Sequence, residues 1–238
     1  MKWFVVVSIA ALSVLAATST AAAAAGFTCN GTFTGVTVSK VVVPDNGACT
    51  LVGSTVTGDV SVLTGAYFEA NATSIQGNVK GNGGLTIYTH DGSTISGSVK
   101  ANKTTQVFLF DGSVGGNVQA QSITGSGHVQ VCGMNIGKNV QIQKAGTDIL
   151  VGDSLAGCGG NTIAGDLKIM NNFTDVELDV RDNTISGKLT VSQNTGPSDK
   201  FVLGNTGGQK LQCTKNSASF VGSPNSGFVQ VALGQCTL

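Results

Sequence analysis

The sequence predicts an all-β fold, a single-stranded right-handed parallel β-helix of about eight or nine coils, each of roughly 20 residues. Three observations carry this prediction. A short phrase recurs along the chain at a nearly fixed step. Apolar and polar residues alternate within each copy, and the composition is poor in charge and rich in glycine.

The phrase is Ser/Thr/Asn, Ile/Val, any residue, Gly, a small polar residue, Val/Leu. It runs Thr55–Val60, Ser74–Val79, Thr94–Val99, Ser113–Val118, Asn135–Val140, Thr162–Leu167 and Thr184–Leu189, with a degenerate copy at Thr206–Leu211. Its second position falls at Val56, Ile75, Ile95, Val114, Ile136, Ile163, Ile185 and, in the degenerate copy, Gly207. The step is close to constant, and the one long interval lies between Ile136 and Ile163. A step near 20 with glycine in each copy is a solenoid period. Within it, Ile95, Gly97, Val99 and Ala101 alternate with Thr94, Ser96, Ser98 and Lys100, the period of a strand with one apolar face. A second alternating run precedes each phrase, as in Leu85/Ile87, Val107/Leu109, Val129/Val131 and Val176/Leu178/Val180. No stretch beyond the first residues holds a helical period. An antiparallel sandwich or barrel is the alternative, and the constant step weighs against it.

The 238 residues include 34 glycines and are 11% charged, against about 7% and about 25% in an average domain. Glycine without a three-residue period excludes collagen, and abundant Val, Ile and Leu exclude wholesale disorder. Thirteen basic residues balance 13 acidic ones, and Arg181 is the single arginine, so no nucleic acid is expected as a partner.

Taken in order, residues 1–25 read as a signal peptide: Met1-Lys2, an apolar run from Trp3 to Ala17, then small residues. No second apolar run is long enough to span a membrane after its cleavage. Residues 26–52 are expected to form an N-terminal cap, 53–212 the repeats and 213–238 a C-terminal cap. Six cysteines permit 15 pairings. Their order in three sequence-local couples suggests Cys29–Cys49, Cys132–Cys158 and Cys213–Cys236 in an oxidising compartment. The long interval between Ile136 and Ile163 holds an extra loop, 154–160, carrying Cys158. Cys132 points outward by alternation, so the second disulfide would pin this loop to the wall; the others would staple the ends.

The run 189–197, with Gly204-Asn205-Thr206, Phe220–Asn225 and Gly234-Gln235-Cys236, resembles a group of exported bacterial β-solenoid proteins of unassigned activity. Residues 53–120 resemble the coils of bactofilins, polymer-forming bacterial β-helices. Export and six cysteines set this chain apart from bactofilins, which are cytoplasmic and cysteine-poor.

Chemistry is sparse. Asp91, Asp111 and Asp182 recur at one turn position, as a carboxylate ladder or as ordinary turn residues; turn chemistry is the simpler account. Asp175, Glu177, Asp179, Arg181 and Asp182 form the densest charge cluster, and alternation with Val176, Leu178 and Val180 puts Glu177, Asp179 and Arg181 on a solvated face. His90 and His128 have no partner at zinc spacing, no nucleophile elbow occurs, and neither a metal nor a cofactor is expected. Asn30, Asn71, Asn102 and Asn172 begin glycosylation-type triplets. Thr55-Val56-Thr57 and its partial copies allow an ice-binding face, which Gln76, Gly115, Gly137 and Ala164 interrupt.

The alternation that turns Ile87, Val107 and Leu109 inward turns Tyr88, His90, Phe108 and Phe110 outward, with Leu150 two coils on. Neighbouring exposed aromatics mark an interface, unless a register slip buries the rings or the segment holding Val41-Val42-Val43 folds over them. The sequence thus reads as a secreted structural or surface-interaction solenoid. Its expected partner is a second copy or a cell-surface or extracellular polymer. A polysaccharide lyase or glycosidase is the alternative, and an ice-binding protein the second.

Overall fold

A computed structural model describes residues 26–125, 127–153, 157–217, 219–232 and 234–237. The expected signal peptide lies outside the described residues. Among them there is no helix, and the strands form three parallel sheets of 11, 10 and 9 strands. Each sheet takes one strand from every turn, so the chain winds as a parallel β-solenoid of about ten turns. The turns beyond the expected eight or nine come from the ends. Phe27–Thr28 pairs with Val41–Val42, Thr37–Val38 with Thr55–Val56, and Gln230–Val231 with Lys210–Leu211. Segments 26–52 and 213–238 thus contribute strands to the same sheets as the repeats.

Register explains the repeat. Val56, Ile75, Ile95, Val114, Ile136, Ile163 and Ile185 occupy equivalent positions in the nine-stranded sheet and are buried. Val60, Val79, Val99, Val118, Val140, Leu167, Leu189 and Leu211 do the same in the eleven-stranded sheet. Each such side chain stabilises the fold by roughly 1.5–3 kcal/mol relative to exposure. The phrase's glycine is needed where the chain leaves the nine-stranded sheet. A Cβ on Gly77 would collide with the Gly58 carbonyl, and one on Gly97 with that of Gly77. Two residues of the alternating runs lie outside this pattern: Leu85 and Val176 are exposed, because each precedes its strand and sits in the turn.

Two corners of the later turns are held by buried asparagine strings. At one, the side-chain Nδ2 of Asn161 donates to Asn183 Oδ1, Asn183 to Asn205 and Asn205 to Asn225, at 2.8, 2.9 and 3.0 Å. At the other, Asn172 donates to Asn194, Asn194 to Asn216 and Asn216 to Gln235. Each carboxamide also donates to a backbone carbonyl and accepts from a backbone N–H of the preceding turn, as Asn183 does with Val151 O and Asn161 N. In earlier turns Ser54, Thr73 and Ser93 hydroxyls hold the first of these corners. Asn172, one of the glycosylation-type asparagines, is buried in its string, so the folded chain does not present it as an acceptor.

The three disulfides pair as the sequence order suggests, Cys29–Cys49, Cys132–Cys158 and Cys213–Cys236, with Cα separations of 5.3, 4.8 and 5.2 Å. At the C-terminal end the inward Ile/Val column stops at Gly207, and the buried Phe228 ring occupies the space a Cβ there would take.

The three faces differ in polarity. The nine-stranded sheet carries Thr37, Thr55, Ser74, Thr94, Ser113, Asn135, Thr162, Thr184 and Thr206 in one outward row and no charged residue in its strands. The eleven-stranded sheet carries Lys80, Lys100, Lys168 and Lys210 and is flanked by Lys40, Lys138 and Lys188 and by Asp59 and Asp166, which pair with Lys80 at 2.6 Å and Lys168 at 3.0 Å. The ten-stranded sheet and its corner with the nine-stranded sheet carry Glu69, Asp91, Asp111, Asp148, Asp182 and the buried Asp153 and Asp179, together with Arg181 and the buried Lys200. We call these the hydroxyl, lysine and aromatic faces.

Candidate functional site

The aromatic face takes its rings from two successive strands, Thr86–His90 and Gln106–Phe110, paired Ile87 to Val107 and Tyr88 to Phe108. The register is unbroken, so Ile87, Val107, Thr89 and Leu109 are buried while Tyr88, His90, Phe108 and Phe110 are half-buried on the outer surface. Val41–Val43 is a strand of the lysine face and covers none of them. Neither a register slip nor an N-terminal flap hides the rings.

The rings form one cluster. Tyr88 stacks on His90 with centroids 4.4 Å apart and meets Phe108 and Phe110 edge-on at 6.0 and 5.8 Å. Phe108 and Phe110 are parallel at 6.1 Å, and Phe108 reaches His128 at 6.4 Å. Edge-to-face contacts of this kind contribute about 0.5–1.5 kcal/mol beyond burial. A shallow concavity of about 400 Å³ opens over them, lined by Tyr67, Thr86, Tyr88, Gln106, Phe108, Phe110 and Gln130. Leu150 lies in the same column as Phe108 but Gln130 stands between them, so it is not part of the cluster.

A polar network fixes the rim. His90 Nε2 lies 2.9 Å from Glu69 Oε1 and its Nδ1 lies 2.9 Å from Asp91 Oδ2; the ring donates to both when it is the imidazolium. Glu69 also accepts from Tyr67 Oη at 3.0 Å and Thr50 Oγ1 at 3.2 Å. Burial raises the Glu69 carboxyl, but the donors His90, Tyr67 and Thr50 outweigh it and hold the group below its ordinary value. Burial and the Glu69 carboxylate push the Tyr67 hydroxyl up to about 12, so it remains a donor at any physiological pH.

The dense charge cluster departs from the expectation. Asp179 faces away from the core by alternation, yet it is fully buried. Arg181 donates to its Oδ1 at 2.9 Å, and the guanidinium also lies 4.4 Å from the centroid of the Phe201 ring. Phe201 and Leu150 are Asp179's neighbours in the adjoining turns, and this cover is what alternation alone does not reveal. Burial and the adjacent Glu177 push the Asp179 carboxyl up to about 8, against the pull of Arg181. Another group missed in the sequence is Lys200, which takes a core position in register with Leu178. Its Nζ donates to the carbonyls of Ser198 and Gly196 at 2.8 and 3.2 Å, and burial lowers its pKa.

Asp91, Asp111 and Asp182 sit at φ of 53°, 46° and 56°, the left-handed turn conformation that Asp tolerates better than most residues. The outer row of the hydroxyl face is regular; its second row is interrupted at Gln76, Gly115, Gly137 and Ala164, and a trough of about 440 Å³ runs along it. Among the described residues no group of three or more His, Cys, Asp or Glu side chains could hold a metal ion, and no helix is long and apolar enough to cross a membrane. The three disulfides mark an oxidising, extracellular environment. No protein-family model, curated protein or solved structure matches the chain.

Proposed function

We propose that this is an exported structural protein of the cell exterior that works by surface contact rather than by catalysis, and that its contact surface is the ring cluster of the aromatic face. The observation that carries this reading is the placement of Tyr88, His90, Phe108 and Phe110 side by side on an outer sheet surface, in mutual ring contact. Packing in the core would have turned them inward; instead the core is complete without them. A contiguous apolar patch with a polar rim is the usual mark of an interaction site. The carboxyl with the most perturbed proton affinity, Asp179, is sealed from solvent, where it touches no substrate. Export is supported by the N-terminal charge and apolar order together with the three disulfides.

The test is Phe108→Ser with Phe110→Ser, comparing retention on the cell surface with release to the medium. A folded variant that is released, while the parent is retained, supports the reading. Equal retention of both would remove the ring cluster from the function.

A further inference from the structure

We propose that the amino-terminal end of the solenoid is a self-docking surface, at which two copies of this chain meet end to end about a two-fold axis and close into a dimer. This goes beyond the ring-cluster reading and does not depend on it.

The two ends of the molecule are finished differently. At the carboxy-terminal end the chain covers its own core. Phe228 fills the column above Gly207, and Ser226 pairs with Thr206. The tail then crosses the last turn: the Gln235 N–H donates to Cys213 O, the Thr237 N–H donates to Gly222 O, and Cys236 is buried in its bond to Cys213. At the amino-terminal end the strands Phe27–Thr28, Gly31–Thr34 and Thr37–Val38 each stand last in their sheet, and among the described residues no strand pairs with their outer edge.

The core runs out through this end. Phe27, Phe33 and Val38 are in register with Val41, Leu51 and Val56. The second-turn residues are wholly buried, whereas those of the first turn are only partly so. With Val36 they make up four of the five hydrophobic residues that pack on the core while partly exposed, among the described residues. The Phe27 and Phe33 rings meet edge-on at 4.8 Å. Backbone groups point the same way. The N–H groups of Phe27 and Cys29 are spent on the second turn, and the carbonyls of Val36 and Val38 accept from Thr55 and Thr57. By alternation the peptide groups of Thr28 and Thr37 face out of the end. Such an edge is ordinarily blunted by charge, proline or a bulge. Residues 26–39 hold no charged side chain and no proline. The Cys29–Cys49 bond ties this turn to the next, so the surface keeps its shape before it meets a partner.

The same end of a second copy is the occupant. Removal of the expected signal peptide, residues 1–25, leaves no chain before Gly26 to fold back over the opening. The carboxy-terminal end is already covered, so a head-to-tail stack has no open core to dock on. The amino-terminal end itself presents the matching outline, three strand edges around an apolar centre, and without charged side chains it meets its own image free of like-charge repulsion. A two-fold axis sets the strands antiparallel across the junction and pairs their free edges. The contact consumes the surface on both copies, so association stops at two. The dimer carries two ring clusters, which strengthens retention on a surface through avidity.

The experiment is sedimentation equilibrium with small-angle X-ray scattering of the exported protein. The parent is expected at about twice the monomer mass, with a longest dimension of roughly 95 Å against roughly 50 Å for one solenoid of about ten turns. The dimer is expected to persist at about 0.5 M salt, where charges are screened beyond about 4 Å. Phe33→Lys with Val36→Lys is expected to weaken dimerisation roughly tenfold or more, because the ammonium groups stay hydrated in the monomer and are buried in the dimer. Thr28→Pro removes an outward N–H and is expected to weaken it as well; this variant decides the matter if circular dichroism shows the lysine variant unfolded. Phe108→Ser with Phe110→Ser is expected to remain dimeric. A parent that is monomeric at every concentration, a series of longer species, a dimer no longer than the monomer, or dimerisation that survives in both end variants overturns the proposal.

Discussion

At the scale of single residues, the buried polar groups set the terms of stability. Asn183 is sealed from water, and its carboxamide satisfies Val151 O, Asn161 N and two neighbouring carboxamides. Asn183→Ala strands those partners, at about 1–3 kcal/mol for each buried group left unpaired. Urea titration is therefore expected to show a loss far above the about 0.5 kcal/mol that bounds an ordinary surface change, and a smaller loss would mean the string is decorative. Asp179 makes a different prediction. Unfolded, its carboxyl titrates near its ordinary 3.8; folded, it keeps its proton up to about 8. Its contribution is fully present below the unfolded value and is lost as pH rises through the folded one. Asp179→Asn is expected to flatten the fall in stability between about pH 4 and about pH 8, read as a shift of urea midpoint at each pH. A parent midpoint independent of pH across that range would contradict it. Neither group was legible as such in the sequence. Alternation shows which way a side chain leaves its strand, not what the next turn lays over it. Asp179 is covered by Phe201, its register partner one turn later.

At the scale of the element, the repeat was legible because each turn reuses the same inward Ile/Val and the same corner glycine. Where a turn departs from that grammar it was missed. Thr37-Val38-Ser39-Lys40-Val41 lacks the glycine and is one residue shorter, yet Thr37 and Val38 pair in register with Thr55 and Val56. The degenerate copy at Thr206–Leu211 has the opposite explanation. Gly207 is small because Phe228 closes the column there. Phe228→Ala is expected to cost about 3–5 kcal/mol and to speed hydrogen exchange in the last turns first. Gly207→Val is expected to be comparably damaging, since its side chain would overlap the ring. If Phe228→Ala were silent, the terminal plug would have to be another group. The disulfides were readable from sequence order because a solenoid places residues one turn apart in contact. Closures of 20, 26 and 23 residues should each contribute on the order of 3 kcal/mol through the unfolded state, and reduction is expected to lower the melting temperature.

At the scale of the whole molecule, the solenoid class could be read from the sequence, but the face on which each charged residue sits could not. It depends on which of three sheets each residue joins, and the turns are unequal: the one from Ile136 to Ile163 is much longer than the one from Val56 to Ile75. Far-ultraviolet circular dichroism of the exported protein is expected to show strand without helix; a helical signal from a third of the residues would contradict the fold. The asparagine strings have a further consequence under mechanical load. Backbone hydrogen bonds between turns lie along the solenoid axis, so tension applied at the two ends breaks them in sequence, like a zipper, rather than all together. Each turn of about 20 residues that peels away lengthens the chain by roughly 70 Å. The later turns carry two extra side-chain strings, so peeling advances from the amino-terminal side at low force and stiffens as it reaches Asn161. The crosslinks between Cys29 and Cys49 and between Cys213 and Cys236 withhold the outermost turns from the extension altogether. In a pulling trace the molecule would lengthen in even steps, interrupted once by a shortened step where Cys132 and Cys158 hold their 26 residues back.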